Sequence, residues 1–222
     1  MSNKKVAMIP ARLGSQRLKK KNLEKFGDLT LIEYAIKRCL DAEVFDEIYV
    51  NSESEVFESY AKKLGVNFYK RPNDLGSHTA TSEEFVENFL RNIECSSLYQ
   101  VHSITPLLST EQIREFVLFS ENNKSINTVL SCVEDQIEVA YQDQPVNFSF
   151  KAKTNSQDLQ PMQRITWAAT KWDKDTYLSA IQEGRIGTYS GNVGFFPVNA
   201  YSGLAIKTAE DLMIANAIRE VV

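Results

Sequence analysis

Two short segments hold most of the side chains that could do chemistry. In residues 9–23, Arg12, Arg17, Lys20 and Lys21 surround Gly14 and Ser15. Such a stretch suits a polyphosphate: guanidinium and ammonium groups neutralise it, and a small residue, a hydroxyl and nearby amides can approach its oxygens. Neutralising a triphosphate also eases the departure of pyrophosphate. GxxxxGK[ST] is absent, so this is not a Walker loop. A lysine-rich loop taken alone is more often a solvated turn. What favours a ligand here is its place directly after the first apolar run, residues 6–9, because open parallel sheets bind ligands beyond the carboxyl ends of their strands. The second segment, Lys70-Arg71-Pro72 followed by residues 77–82, reads by itself as a loop joined to a helix cap.

The chain has two histidines, His78 and His102, and both fall in such loop segments. A neutral imidazole there could accept a proton or hydrogen-bond a hydroxyl. A satisfied polar residue at the end of a buried strand fits His102 as well. No spacing suggests a Ser-His-Asp triad or a Cys-His pair, which disfavours a covalent intermediate.

The elements that must position these groups follow from hydrophobic periodicity. Apolar runs at residues 6–9, 47–50, 66–69, 98–101, 126–133 and 189–197 predict strands. Between them, residues 29–40, a stretch from a Ser52/Glu55 capping box to about Leu64, a helix capped by Thr81 and Glu84, and one opened by Ser109 and Gln112 predict helices. Further helices are expected near residues 173–182 and from Thr208, with Asp211 as a capping acid. The alternation predicts a Rossmann-like α/β fold, a mostly parallel sheet covered by helices on both faces. Residues 134–170 lose the pattern. A structureless loop of that length is uncommon in a compact domain, so they are expected to form a hairpin or inserted arm that projects towards a second subunit.

Length and composition fit this frame. The 222 residues suit a single domain, residues 1–222, with a core large enough to need no disulfide staples. Cys39, Cys95 and Cys132 lie far apart and read as reduced thiols of a cytoplasmic protein. The apolar stretch at the start is too short for a secretory signal, and no run approaches a membrane span. Net charge is −4, yet residues 1–25 carry eight lysines and arginines against Glu24 alone. A basic island on an acidic chain favours a compact anion and argues against nucleic acid as a partner.

The order Pro10-Ala11-Arg12, Gly14-Ser15, Arg17 and Lys21-Asn22 resembles the signature of the acylneuraminate cytidylyltransferases, the CMP-sialic acid synthetases, and more distantly that of the CMP-Kdo synthetases. The resemblance runs through the chain, with the N-terminal motif its specific part. It implies a nucleotidyltransferase in which a sugar hydroxyl attacks the α-phosphorus of CTP, giving a CMP-sugar and pyrophosphate. In that reading Arg12 and Lys21 hold the triphosphate, Ser15 assists, and Ala11, Gly14 and Asn22 lie along the nucleotide. Arg71 and the backbone at Ala80 would read the cytosine edge, with Ser82 near the ribose. Such readout is chemically sound, since cytosine presents two acceptors and an amino donor. Arg164 and Gln163, in the arm, would meet the carboxylate of a keto sugar acid; a structural arginine at a homodimer interface fits Arg164 nearly as well.

Three segments depart from the family pattern, at four positions. His78 stands where the family has Asp, and His102 where it has Gln. Residues 204–212 resemble the segment bearing the family's metal-binding Asp pair, but the two positions hold Ala205 and Lys207. Magnesium prefers carboxylate and phosphate oxygens. It is therefore expected to come with the CTP phosphates, with no metal ligand on the chain and with Lys207 as a third catalytic cation. Two alternatives stay open: a nucleotide-binding homologue without turnover, and the same transfer to a different acid acceptor.

Overall fold

The computed structural model describes residues 3–221. Seven strands form the main sheet: β1 (Lys5–Pro10), β2 (Glu47–Ser52), β3 (Asn67–Lys70), β4 (Ser97–Val101), β5 (Thr128–Asp135), β6 (Met162–Asp173) and β7 (Val193–Pro197). Their spatial order is β7-β5-β6-β4-β1-β2-β3. All neighbours pair in parallel except β6, which runs antiparallel to both β4 and β5. The predicted α/β class and mostly parallel sheet are therefore what the chain adopts.

Six helices cover the sheet: α1 (Leu31–Ala42), α2 (Val56–Leu64), α3 (Ser82–Asn92), α4 (Thr110–Asn122), α5 (Lys174–Gln182) and α6 (Ala209–Arg219). β1 shows why both faces need cover. Ala7 and Ile9 point into one cluster with Ile32, Ile36, Phe57 and Phe116, from α1, α2 and α4. Val6 and Met8 point into another with Phe89, Leu90 and Tyr177, from α3 and α5. A central parallel strand buried on both sides has no polar face to alternate with. Each fully buried side chain of this kind contributes about 1.5–3 kcal/mol. Among the described residues, no helix is long and apolar enough to cross a membrane.

The chain leaves β1 through α1 to β2 on one side and later returns through α3 to β4 on the other. The loops after β1 and β4 thus diverge and open a crevice at the topological switch point. The loops after β1 and β4, which carry Arg12, Lys21 and His102, meet there.

Several boundaries differ from the sequence reading. Ser52 caps nothing: it ends β2, paired with Lys70, and α2 begins at Val56 with Glu55 at its N-cap and no side-chain cap. α1 begins at Leu31 behind a full Thr30/Glu33 capping box. The stretch read as an arm from 134 to 170 divides. Its end is β6, a strand inside the main sheet; residues 136–161, mostly exposed, form a small hairpin (Ala140–Tyr141 with Gln144–Pro145) and a single 3-10 turn. Between Ile165 and Thr170, β6 advances five residues while β5 advances only two, from Cys132 to Leu130. The extra residues bulge out, and Trp167 in the bulge takes a left-handed backbone (φ 59°), a strained conformation for an aromatic residue.

Candidate active site

The loop leaving β1 lines a cavity of about 280 Å³ with Pro10, Ala11, Arg12, Ser15, Arg17, Lys21 and Asn22; Arg71, Phe85, His102 and Ile104 complete it. Seven of the residues singled out from sequence thus share one cavity: Ala11, Arg12, Ser15, Lys21, Asn22, Arg71 and His102.

Its cations crowd one another. The Lys21 ammonium is pushed below its ordinary value by burial and by the positive charges of Arg17 and Arg12, with Lys207 adding to them and Asp211 opposing. A polyanion entering the cavity would relieve that repulsion and keep Lys21 charged. Arg12 reaches across to the Ser77 carbonyl (3.4 Å), closing the first loop onto the 77–82 segment.

Asn22 is 4% exposed and acts as a strut. Its Nδ2 donates to the Arg12 carbonyl (2.9 Å), and its Oδ1 accepts from Ser103 Oγ (2.7 Å), locking the β1 loop to the β4 loop. The Ser15 amide is engaged by the Leu13 carbonyl (3.0 Å), which leaves its hydroxyl for a ligand. Gly14 lines no wall of the cavity, and a Cβ there would meet nothing within 4 Å.

Arg71 is almost wholly buried. One terminal nitrogen donates to Glu53 Oε2 (2.8 Å) and to the Ala11 carbonyl (3.1 Å), and its guanidinium lies over the Phe85 ring at 4.9 Å. Burial lowers its pKa, with Glu53 opposing; its Nε has no partner. Glu53 was not anticipated from sequence. Its Oε1 also accepts from the Leu13 amide (3.0 Å), so one carboxylate fixes both the loop after β1 and the arginine. The turn Asn73–Gly76 packs so closely on it that a Cβ at Gly76 would overlap its side chain. The available signal was an acid one residue beyond the carboxyl end of a strand.

Ala80 is not among the residues lining this cavity; its amide donates to Ser77 Oγ (3.1 Å). Ser82 opens α3 and faces an adjoining pocket of about 230 Å³ with Val86, Gln100, His102, Trp167, Trp172 and Thr188. His102 thus stands between two compartments. Its Nε2 is 2.6 Å from the Gln100 amide nitrogen, and burial, with help from the Lys21 charge, pushes its pKa down to about 4. The ring is neutral at physiological pH. His78 is exposed and outside these cavities.

A larger cavity of about 570 Å³ lies on the other side of Ile104, which lines both, and is walled by Arg164, Thr166, Trp167, Ala205, Lys207 and Asp211. Ile206, fully buried and tied by its amide to the Ile104 carbonyl (2.7 Å), is flanked by Ala205 and Lys207, both on this cavity's wall. Arg164 forks onto Asp135 (Nε–Oδ2 2.6 Å, Nη2–Oδ1 3.4 Å), which raises its pKa. Gln163 is exposed beside Glu134 (3.4 Å) and lines no part of this cavity.

The donor set does not suit a divalent ion held by the protein. The paired positions carry a methyl group and an ammonium, and the one carboxylate on the cavity wall, Asp211, spends Oδ2 on the amides of Lys207 and Thr208 (2.8 Å each). Among the described residues no three His, Cys, Asp or Glu side chains gather.

Comparison with known proteins adds to this geometry. The family model described as cytidylyltransferase matches residues 6–201. The N-acylneuraminate cytidylyltransferase of Escherichia coli O18:K1:H7 is 37% identical over 90 residues, 40% of this chain and 22% of that relative. That of Streptococcus agalactiae serotype V is 28% identical over 192 residues, 79% of this chain and 45% of the relative. The pseudaminic acid cytidylyltransferase of Campylobacter jejuni serotype O:2 is 28% identical over 168 residues, 70% of this chain and 72% of the relative. The chain therefore spans less than half the length of the two N-acylneuraminate relatives it matches. Among solved structures, a CMP:2-keto-3-deoxy-manno-octonic acid synthetase complexed with CTP superimposes with TM-score 0.73 at 16% identity, covering 98% of this chain and 99% of that one. A 4-diphosphocytidyl-2C-methyl-D-erythritol synthase from Anaerococcus prevotii gives 0.71 at 15% identity, covering 98% of each. These last two likenesses establish the fold.

Proposed function

The chain belongs to the cytidylyltransferase family, and we propose that it transfers CMP from CTP to a sialic-acid-like or related keto sugar acid, releasing pyrophosphate. The observation that carries this reading is the pair of neighbouring cavities at the switch point, which share Ile104 as a wall. One is lined by Arg12, Arg17 and Lys21; the other, across Ile104, is lined by Lys207 and Arg164. CTP takes the first, with the triphosphate on Arg12, Lys21 and the Ser15 hydroxyl and the base towards Arg71. The acid acceptor takes the second. Its hydroxyl oxygen attacks the α-phosphorus, the bond to the β-phosphate bridging oxygen breaks, and the hydroxyl proton leaves to solvent. Catalysis rests on orientation and on charge that need not reorganise. Arg164 meets the acceptor carboxylate by exchanging Asp135 for it; Gln163 stands next to it on the strand.

Magnesium enters this reading only as a companion of the CTP phosphates, and Lys207 supplies a fixed positive charge where the resembled family has carboxylates. The reading includes a cytoplasmic setting and a homodimer joined through residues 136–161. Its test is pyrophosphate release from CTP and magnesium with a panel of keto sugar acids; no release above background for any acceptor counts against it. The replaced Asp pair favours a second reading, a nucleotide-binding homologue without turnover. That reading requires CTP binding indifferent to magnesium and no product. A third keeps the transfer and changes the acid acceptor, which the same panel, widened beyond keto sugar acids, would reveal.

A further inference from the structure

Further along the loop that carries His102, another cavity of about 600 Å³ lies between α1, the start of α4 and the end of α6. It shares no lining residue with the three cavities above. Three arginines line it, Arg38, Arg114 and Arg219, against a single carboxylate, Glu111, already engaged by Arg114 (2.9 Å). On a chain of net charge −4, such a concentration of cations is not a background feature.

Arg38 is the anomalous group. It is 5% exposed, and its Nη1 donates to the carbonyls of Thr105 (2.9 Å), Pro106 (3.1 Å) and Leu108. Its Nε and Nη2 are buried and donate to nothing. Burial drives its pKa down to about 10, and the neighbours that oppose this are Cys39 and Tyr34; no carboxylate does. A buried guanidinium normally has an acid or a full set of acceptors. Here the ring of Tyr34 (5.3 Å) covers it, and the counter-charge is missing. The thirteen-residue helix α4 turns its first residues, Thr110 and Glu111, to the same cavity. Ser109 Oγ caps the Gln112 amide (3.1 Å), which leaves the Thr110 and Glu111 amides without an acceptor, and the helix dipole favours an anion. Arg219 forms no ion pair among the described residues and lies over Phe26 at 5.6 Å.

We propose that this cavity is a second anion site, which takes a small molecule bearing a phosphoryl group. Once the covering Tyr34 ring gives way, the phosphoryl oxygens supply the acceptors that the buried Nε and Nη2 of Arg38 lack, with Arg219 and the Thr110 and Glu111 amides closing around them. Arg114 is spent on Glu111 and on the Ala42 and Asp41 carbonyls, but Arg38, Arg219 and a helix start suit a tetrahedral dianion better than a carboxylate. Pro106, Leu107 and Tyr201 give the rest of the molecule an apolar wall. Because Arg38 also grips the 105–108 carbonyls, occupancy reaches the loop that presents His102. The proposal does not rest on cytidylyl transfer: failure of that reading would appear in the pyrophosphate assay and leave the measurements below unchanged.

The test uses calorimetric titration at fixed ionic strength in an Arg12→Ala/Lys21→Ala protein, which silences the first cavity. Inorganic phosphate and glucose 6-phosphate are each expected to bind one saturable site. Tighter binding of the sugar phosphate marks a phosphorylated metabolite as the natural source; equal binding marks free phosphate. Thr110→Asp places a carboxylate in the first turn of α4, where the helix dipole tolerates it, and is expected to weaken both ligands at least about tenfold. Arg219→Ala should act in the same direction. Coupling is read in the imidazole resonances, since the chain has only two histidines: phosphate moves that of His102, and does not do so in the Thr110→Asp protein. A featureless isotherm, acetate binding as well as phosphate, affinity unchanged in both variants, or a His102 signal indifferent to phosphate would each overturn the proposal.

Discussion

Lys21 is where charge and burial collide. Its ammonium is half out of water among Arg12, Arg17 and Lys207, a crowding that Asp211 offsets only in part and that the proposed triphosphate would relieve. Removing one preorganised charge of this kind costs roughly 10²–10³ in turnover. Lys21→Ala should therefore lower the rate of pyrophosphate release by that order, while Lys21→Arg keeps the charge and loses less. Lys207 tests a different point. Ala205→Asp with Lys207→Asp restores the resembled pair, and if Lys207 stands in for a metal, the double variant's activity falls and becomes newly dependent on added magnesium. His102 gives a pH signature. Its folded pKa, about 4, lies below the ordinary 6.5, so the unfolded chain binds the proton more readily. Stability from this group is complete above about 6.5 and is lost as pH falls towards 4. An isolated group would lose about 3 kcal/mol across that window, and a ring facing a cavity loses less. In His102→Gln, urea midpoints should decline less between those pH values; an unchanged slope would mean the imidazole titrates normally.

Helix α6 begins with a reciprocal pair, Thr208 Oγ1 accepting from the Asp211 amide (3.2 Å) while Asp211 accepts from the amides of Lys207 and Thr208. Asp211→Ala should then cost about 0.5–2 kcal/mol of stability, measurable by urea denaturation, and leave the magnesium dependence of any turnover as it was. A changed dependence would make Asp211 a ligand instead of a cap. This cap was legible in the sequence, as were those at Thr81 and Ser109, because each is a local rule that a few residues obey alone. The same locality misled at Ser52, whose pairing with Lys70 belongs to the sheet. β6 was illegible for a related reason. Its Thr and Lys side chains, Thr170 and Lys171, are buried only because β4 and β5 flank it, and the bulge at Trp167 breaks the period-two pattern that would have betrayed a strand. At the site, the basic loop could be read directly, since charge and glycine are written in the chain. Glu53 could not: its importance arises when β2 ends beside the β1 loop and Arg71 returns to it from β3.

For the molecule as a whole, residues 136–161 are the part that its own core does not account for. Ile137, Tyr141, Val146 and Phe150 are 50–71% exposed, and Phe150 stacks edge-on against the half-buried Phe148 at 5.5 Å. A hairpin of two residues per strand is too small to be stable alone. Its order comes from Asn147, which bonds the Val139 amide and the carbonyls of Ile137 and Gln160, and from Leu159, which is buried. An apolar projection of this kind is what the proposed homodimer would cover. Tyr141→Asp with Phe150→Asp touches neither cavity of the proposed active site. Light scattering is expected to show a dimer for the parent chain and a monomer for this variant, with the far-ultraviolet dichroism and melting behaviour of the αβ body retained. If both proteins have the mass of a dimer, the interface lies elsewhere on the surface. If both have the mass of a monomer, the exposed rings serve some other contact, and the acceptor cavity must be complete within one chain.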